Sequence, residues 1–489
     1  MKTRILGVIA LSLLLAVPSF AAPAKLSGIR NLMDRGCYQE AVQKLTAIVE
    51  KDPENHAAYA LLGECEIIYQ DLDAAETAML TALDLVEDKN ADYWKLLGRV
   101  SFEKGIQAYA GGASANVIKS WFADAESKFT QCVKRNPEDP DVRWRFGWAK
   151  EWQEYPIKAR EAYNEQIAKF PKVPGGYLRL ASMLSQSANG TDNGFTPEAE
   201  KLRAEAIALF TKGNDLAGPN AEILYARGLA LEWQRKKAEA VESYFEAVAA
   251  DPDYELVWTR LYQLKQDPDE VLPLALKFPK SPTAAMWASY YLKGKNKTLE
   301  ALKAVLPTLK DHGEHSGAFN QASSVAWALR TTDLRTAIDA FEQLHEFNPF
   351  SANPANNLGL IHRDITCQYK DSLKWYLAAA ERAPESQDIL NDTALIYLFH
   401  FKGADQKKCL PMLEKVLSIV DEDGMAPERG YWDALENLCK YYWEVDRKPK
   451  LVIKYADMRY KTTLGVEPYN TSRNAMHYKS LAEKALGGR

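Results

Sequence analysis

An interval of 34 residues constrains this chain more than any other feature. Pro137 and Pro171 stand 34 residues apart, and the stretch between them is one copy of a recurring pattern. With Pro140 as position 1, Arg143, Phe146 and Gly147 fall at 4, 7 and 8, Ala159 at 20, Tyr163 at 24 and Pro171 at 32. Tyr59, Leu62, Gly63, Ala75 and Met79 fill the first five of these places in an earlier unit. Leu224, Gly228, Ala240, Tyr244 and Pro252 occupy 4, 8, 20, 24 and 32 of a later one. Ala337, Phe341 and Pro349 belong to a further unit, and Leu358, Gly359, Tyr376 and Pro384 to the next, which carries one inserted residue. Residues 37–53 read as the second half of a first unit. Positions 4, 7, 8 and 11 share one face of a helix, and 20, 24 and 27 one face of a second. A small residue at 8 and at 20 lets the two backbones approach, and Pro at 32 ends the pair. The pattern predicts helical hairpins in series and an all-α chain.

Six or more such units in register resemble the tetratricopeptide repeat (TPR) family, whose period is 34 residues. The resemblance covers nearly the whole chain beyond its N-terminal leader. It implies an α-solenoid, a right-handed superhelix of antiparallel helix pairs whose first helices line a concave groove. Family members bind peptides there, through positions 2, 5, 6, 9, 12 and 13. Carried over residue by residue, these positions hold Lys95, Arg99, Trp144, Arg145, Trp148, Trp152, Arg179, Tyr225 and Trp233. A second block offers Asn356, Asn357 and Asn391, whose amides can both donate to and accept from a peptide backbone. Trp144, Trp148 and Trp152 avoid the packing positions of their helix and project toward the groove, where they either form an exposed aromatic ladder beside Arg145 or pack against a neighbouring helix or an inserted loop. Flat rings of this kind anchor a partner at low entropic cost. A ladder stacked on sugar rings is the alternative use.

Two units depart from the period. About 15 extra residues separate the halves of the third, around "AYAGGASAN" (108–116), and about 13 those of the fifth, around "SANGTDNGFTPEAE" (187–200). Gly- and Asn-rich insertions read as surface loops. The expected organisation is a leader at 1–21, an N-terminal repeat block at 22–254 with insertions near 99–125 and 185–205, and degenerate helical repeats at 255–317. A second repeat block at 318–425 and a C-terminal helix pair with a capping helix at 426–489 complete it.

Lys2 and Arg4, the apolar run Ile5–Val17 and Ser19-Phe20-Ala21 compose a secretory leader cleaved after about Ala21. No other apolar run approaches the roughly 18 residues of a transmembrane helix. The expected product is an exported, periplasmic protein. Its net charge of −5, or −7 without Lys2 and Arg4, is spread along the chain, and no basic stripe suggests nucleic acid. In an oxidising compartment the six cysteines invite pairing. The hairpin order brings Cys37 near Cys65 and Cys409 near Cys439, either as disulfides or as buried thiols; Cys132 and Cys367 are left free.

Catalytic patterns are missing. The chain has no phosphate-binding Gly-rich loop, nucleophile elbow, His-Glu-x-x-His or Cys-x-x-Cys. His312 and His315 flank Glu314 in a short "HGEHSG", which reads as a solvated loop before a metal site. The reading is therefore a non-enzymatic scaffold without cofactor or metal, holding a protein or peptide partner within an envelope assembly or secretion complex.

Overall fold

The computed structural model describes residues 26–189, 196–264, 266–419, 429–462 and 473–487; the leader lies outside them, as do parts of the 187–200 insertion and of the residues before the last helix. Among the described residues there is no strand, and the chain is an α-solenoid of helix pairs. It divides into two compact units, residues 1–295 with 314–318, and residues 296–313 with 319–489.

In the first unit the helices are α1 (Ser27–Asp34), α2 (Tyr38–Lys51), α3 (His56–Tyr69), α4 (Leu72–Asp84), α5 (Ala91–Ala110), α6 (Ala115–Arg135), α7 (Val142–Trp152), α8 (Pro156–Lys169), α9 (Pro174–Asn189), α10 (Pro197–Ala217), α11 (Ala221–Trp233) and α12 (Lys237–Ala250). Shorter helices follow: α13 (Glu255–Gln263), α14 (Pro268–Ala275) and α15 (Pro282–Gly294). Each odd-numbered helix from α3 to α11 packs on the even-numbered one after it, and α7, α9 and α11 touch in turn along an inner wall. Polar caps start many of them: Asn55 accepts from the Ala58 amide, Asp71 from Ala74 and Asn220 from Ile223. In the second unit the pairing resumes with Leu334–Phe347, Asn353–Asp364, Tyr369–Arg382 and Gln387–His400. It ends on Arg429–Glu444, Pro449–Thr462 and Arg473–Ala485, which pack on one another.

The repeat interval works through one contact. A Cβ added to Gly63 would lie 2.8 Å from Met79, at Gly98 2.6 Å from Phe129, at Gly147 2.7 Å from Tyr163, and at Gly228 2.3 Å from Tyr244. Gly359 stands in the same relation to Tyr376, at 2.8 Å. The large side chain at position 24 thus fills the space that the small residue at position 8 leaves open.

The insertions correct one expectation. The extra residues of the third unit do not make a long loop. They lengthen α5 and α6 to 20 and 21 residues and leave a tight turn at 111–114. In the fifth unit α9 and α10 are likewise long, at 16 and 21 residues. The added turns bury Phe122 against Gly105 and Phe102 of α5 and satisfy their own backbone, which a loop of that length would leave to solvent.

Of the two readings of the cysteines, the structure shows buried thiols. All six are free thiols, Cys37, Cys65, Cys132, Cys409 and Cys439 buried and Cys367 exposed, so neither Cys37–Cys65 nor Cys409–Cys439 is a disulfide. Burial pushes Cys65, Cys132, Cys409 and Cys439 up to about 12, which keeps them protonated and inert. Alkylation in denaturant without reductant should add six labels by mass, and any deficit of two would mark a disulfide. Gly228→Ala should lower the urea midpoint by about 1–3 kcal/mol of stability, as overpacking does. Gly294→Ala, whose added carbon would meet nothing within 4 Å, should change it by less than about 0.5 kcal/mol.

Candidate functional site

Glu314 fixes how the first unit is arranged. Its carboxylate accepts the backbone N–H of Gln39 at 2.6 Å and of Glu40 at 3.0 Å, which caps the N-terminus of α2 from 274 residues away. Cys37, the residue at the cap position, makes no side-chain capping bond to the helix. Next to it, His315 bonds Thr283 at 3.1 Å through Nε2 and takes the Ala318 amide at 3.1 Å on Nδ1. The segment read from sequence as a solvated loop is therefore the place where the first unit returns to its own first hairpin. Among the described residues no group of three His, Cys, Asp or Glu comes together to hold a metal.

Many polar residues of the inner wall are buried in latches. Lys95 pairs with Asp139 at 2.7 Å and Asp92 at 3.2 Å. Burial pulls its ammonium down, but these two carboxylates outweigh the loss and hold it above the usual value. Asp139 also accepts the Asp141 and Val142 amides, so the pair ties α5 to the start of α7. Arg179, about 1% exposed, pairs with Glu151 at 3.0 Å and lies 4.3 Å over the Trp148 ring.

The tryptophans do not form an exposed ladder. Trp144 and Trp148 are each 3% exposed and Trp152 is half-buried. Trp148 meets Phe102 of the preceding pair at 4.4 Å as well as Arg179 of the following one. Trp144 packs against the backbone at Gly175 and carries the Arg145 guanidinium 4.2 Å over its ring. Trp152 stacks on Phe122 at 4.9 Å and meets the edge of Tyr109 at 5.3 Å. Their positions face the inner wall as the repeat implies, but the wall is close enough to seal them. A platform for sugar rings is thereby removed.

Tyr225 is also buried, against Tyr244 and Tyr254, whereas Trp233 is exposed. In the second unit Asn391 accepts from Asn437 at 2.9 Å in a buried bond; Asn356 and Asn357 are half-buried, with the Asn356 Oδ1 sealed and unbonded. Asn391 is thus spent on packing.

What remains is a row of charges on the wall of the first unit. Arg30 grips Glu64 with two bonds, 2.7 and 3.2 Å. Beyond it come Arg99 (7% exposed), Glu103 (3%), Arg145 (6%) and half-buried Glu222. Among the described residues none of these last four makes a hydrogen bond or ion pair; each feels the others only at longer range. Burial drags the Arg99 guanidinium below its usual value despite Glu103 and Glu64, and drags Arg145 to about 10. Burial pushes Glu103 up to about 7, against the pull of Arg99 and Arg145, and Glu222 up to about 8. Glu64, Glu103 and Glu222 were missed in the sequence. They stand at repeat positions 9, 13 and 2, which face the groove, so the positional rule that found Arg99 would have found them too.

A carboxyl that stays protonated to about pH 7 when folded, but ionises near 4.3 when unfolded, binds its proton more tightly in the native state. Its stabilisation is complete below about pH 4.3 and is lost as pH climbs through about 7. Stability should therefore decline from pH 5 to pH 8, and Glu103→Gln should remove up to about 3 kcal/mol of that decline in urea titrations. A variant with an unchanged pH slope would show that Glu103 ionises normally.

Residues 32–100 match the family model described as tetratricopeptide repeat. A comparison with curated proteins finds no match. Among solved structures, the chain is similar to YrrB, described as a TPR protein with an unusual peptide-binding site (17% identity, 44% of this chain and 96% of that one, TM-score 0.25). It is similar to PilF of Pseudomonas aeruginosa (16%, 50% and 96%, TM-score 0.34). Human IFIT1, solved as a dimer with m7Gppp-AAAA, matches over 88% of this chain and 90% of its own at 13% identity, with a TM-score of 0.32.

Proposed function

From the premise that the chain is a tetratricopeptide-repeat protein, we propose that it is a non-enzymatic scaffold that holds a segment of a protein partner on the inner wall of its first unit. The observation that carries this reading is the set of four charged side chains there that satisfy no partner of their own. Other charged groups on that wall are closed into latches such as Lys95–Asp139 and Arg179–Glu151. A buried charge left open costs stability, and a wall that keeps several is suited to an incoming ligand. The repeat architecture offers an extended surface in place of a reaction pocket. With its leader, the chain is proposed to work in the periplasm, within an envelope assembly or secretion complex.

Selection of peptides from a random display library on the full-length mature chain tests this. Arg99→Glu combined with Arg145→Glu should lower the affinity of selected peptides by more than about tenfold, the scale of a lost charged contact. Ile157→Asp, on the exposed outer face, should leave it unchanged. The opposite ranking would move the binding surface to the outside. Cell fractionation with N-terminal sequencing should find the chain in the periplasm beginning just after Ala21.

A further inference from the structure

Within the second unit an open groove of about 540 Å³ lies between residues 299–310 and the helix Leu334–Phe347. Its first wall is the short helix Thr298–Val305, continued by the tight helical turn Leu306–Lys310, which packs directly on Leu334–Phe347. Val305, Thr308 and Leu309 are buried, and Thr308 Oγ1 donates to the Val305 carbonyl at 2.8 Å, which holds the change of helix type in place. At one end the walls are pinned together. Asn348 Nδ2 donates to the Gly313 carbonyl at 3.0 Å, and a Cβ at Gly313 would fall 1.9 Å from the Phe347 carbonyl oxygen. The groove is therefore built into the fold before any ligand arrives.

Its lining is apolar at Leu299, Leu302, Leu306, Pro307 and Phe347. Leu299, Leu302 and Leu306 follow the i, i+3, i+7 spacing of one helical face, and Leu299 is 39% exposed. The charged groups of the lining are two ammoniums, Lys303 and Lys310, which neither hydrogen-bond nor ion-pair among the described residues. No carboxylate lines the groove. Glu300 is held by Lys297 at 3.1 Å, Asp339 stands beside Arg335 at 4.0 Å, and Asp333 is spent on capping its helix through Thr336. The other wall contributes neutral Thr336 and Gln343. An occupant that fits is apolar along one face and negative at its edge.

The two lysines stand seven residues apart in sequence, about 10–12 Å along the axis of their wall. An acyl chain with one anionic head would engage only one of them. A groove this open would also leave much of such a chain in water, whereas small-molecule sites bury most of their ligand. Side chains projecting from a helix at matching intervals use the apolar row and both charges together. We propose that this groove docks an amphipathic helix of a protein partner. Its apolar stripe lies on Leu299, Leu302, Leu306 and Phe347, and two acidic side chains, two turns apart, pair with Lys303 and Lys310. The site shares no residue with the inner wall of the first unit and stands whether or not that wall holds a peptide.

The test is calorimetric titration of the full-length mature chain at low ionic strength. The first probe is a blocked Ala/Gln helix of about four turns, with a stripe of Leu and, beside it, two Glu seven residues apart. A second probe replaces both Glu by Gln, a third replaces every Leu by Ala, and a fourth is dodecanoate. The Glu helix should bind about fivefold more tightly than its Gln counterpart, the scale of two exposed ion pairs, and the margin should close in about 0.5 M salt. The probe without Leu should bind at least about tenfold more weakly. Lys303→Gln with Lys310→Gln, both exposed positions, should erase the Glu-over-Gln margin. Leu299→Gln, also exposed, should weaken both Leu-bearing helices by about fivefold or more. Arg99→Glu with Arg145→Glu should change none of these values, so this site and the inner wall fail or stand separately. Equal binding with and without Leu, a Glu margin that survives loss of both lysines, or no binding of any helix overturns the proposal. Dodecanoate bound in place of the helices, and lost with Leu299→Gln, overturns it in favour of an acyl chain.

Discussion

Five of the helix pairs depend on one steric match: a missing side chain at the eighth position of the first helix and a large one at the twenty-fourth, on the second. Gly63 with Met79, Gly98 with Phe129, Gly147 with Tyr163, Gly228 with Tyr244 and Gly359 with Tyr376 are the same contact made five times. Because the ring enters the space beside the glycine, the two axes come close and the pair is a rigid plate. Stacking such plates buries the remaining apolar faces, so stability accrues between neighbours along the chain. Insertions that preserve the match are tolerated, and α5 and α6 simply grow longer while Gly98 and Phe129 keep their contact.

Stacked in series, the plates of the first unit lead back to its own first hairpin. In the first unit the return is made by Glu314, which supplies the N-terminus of α2 with the two acceptors that its own flanking residue lacks. The side chains that an open repeat array would present to solvent are then crowded inward. Trp144 and Trp148 seal against Phe102, Arg179 and the backbone at Gly175. Lys95 and Arg179 find carboxylates and become struts. Arg99, Glu103, Arg145 and Glu222 do not, and the unit holds them desolvated and unbonded. A wall meant only to stand would gain by closing these ion pairs or replacing them with apolar residues.

The repeat interval, the all-α class, the helix pairs and the identity of the wall positions were all legible in the linear chain, because a helix fixes which residues share a face whatever its neighbours do. Arg99 and Arg145 were named from spacing alone. Glu103 and Glu222 obey the same spacing and were passed over. The tryptophans were placed on the groove face with their exposure left open, since exposure is set by what stands opposite. The long insertions were read as loops because Gly and Asn mark turns, yet "AYAGGASAN" spends only 111–114 on the turn itself.

By itself, then, the sequence determined the hairpin, its period and the direction in which each side chain leaves its helix, all consequences of local backbone geometry within some thirty residues. Which of those side chains would be sealed, paired or left with an unanswered charge was decided by tertiary structure alone. Those outcomes depend on surfaces that meet from distant repeats, as Glu314 meets Gln39 and Glu40, and on the dielectric that such enclosure creates.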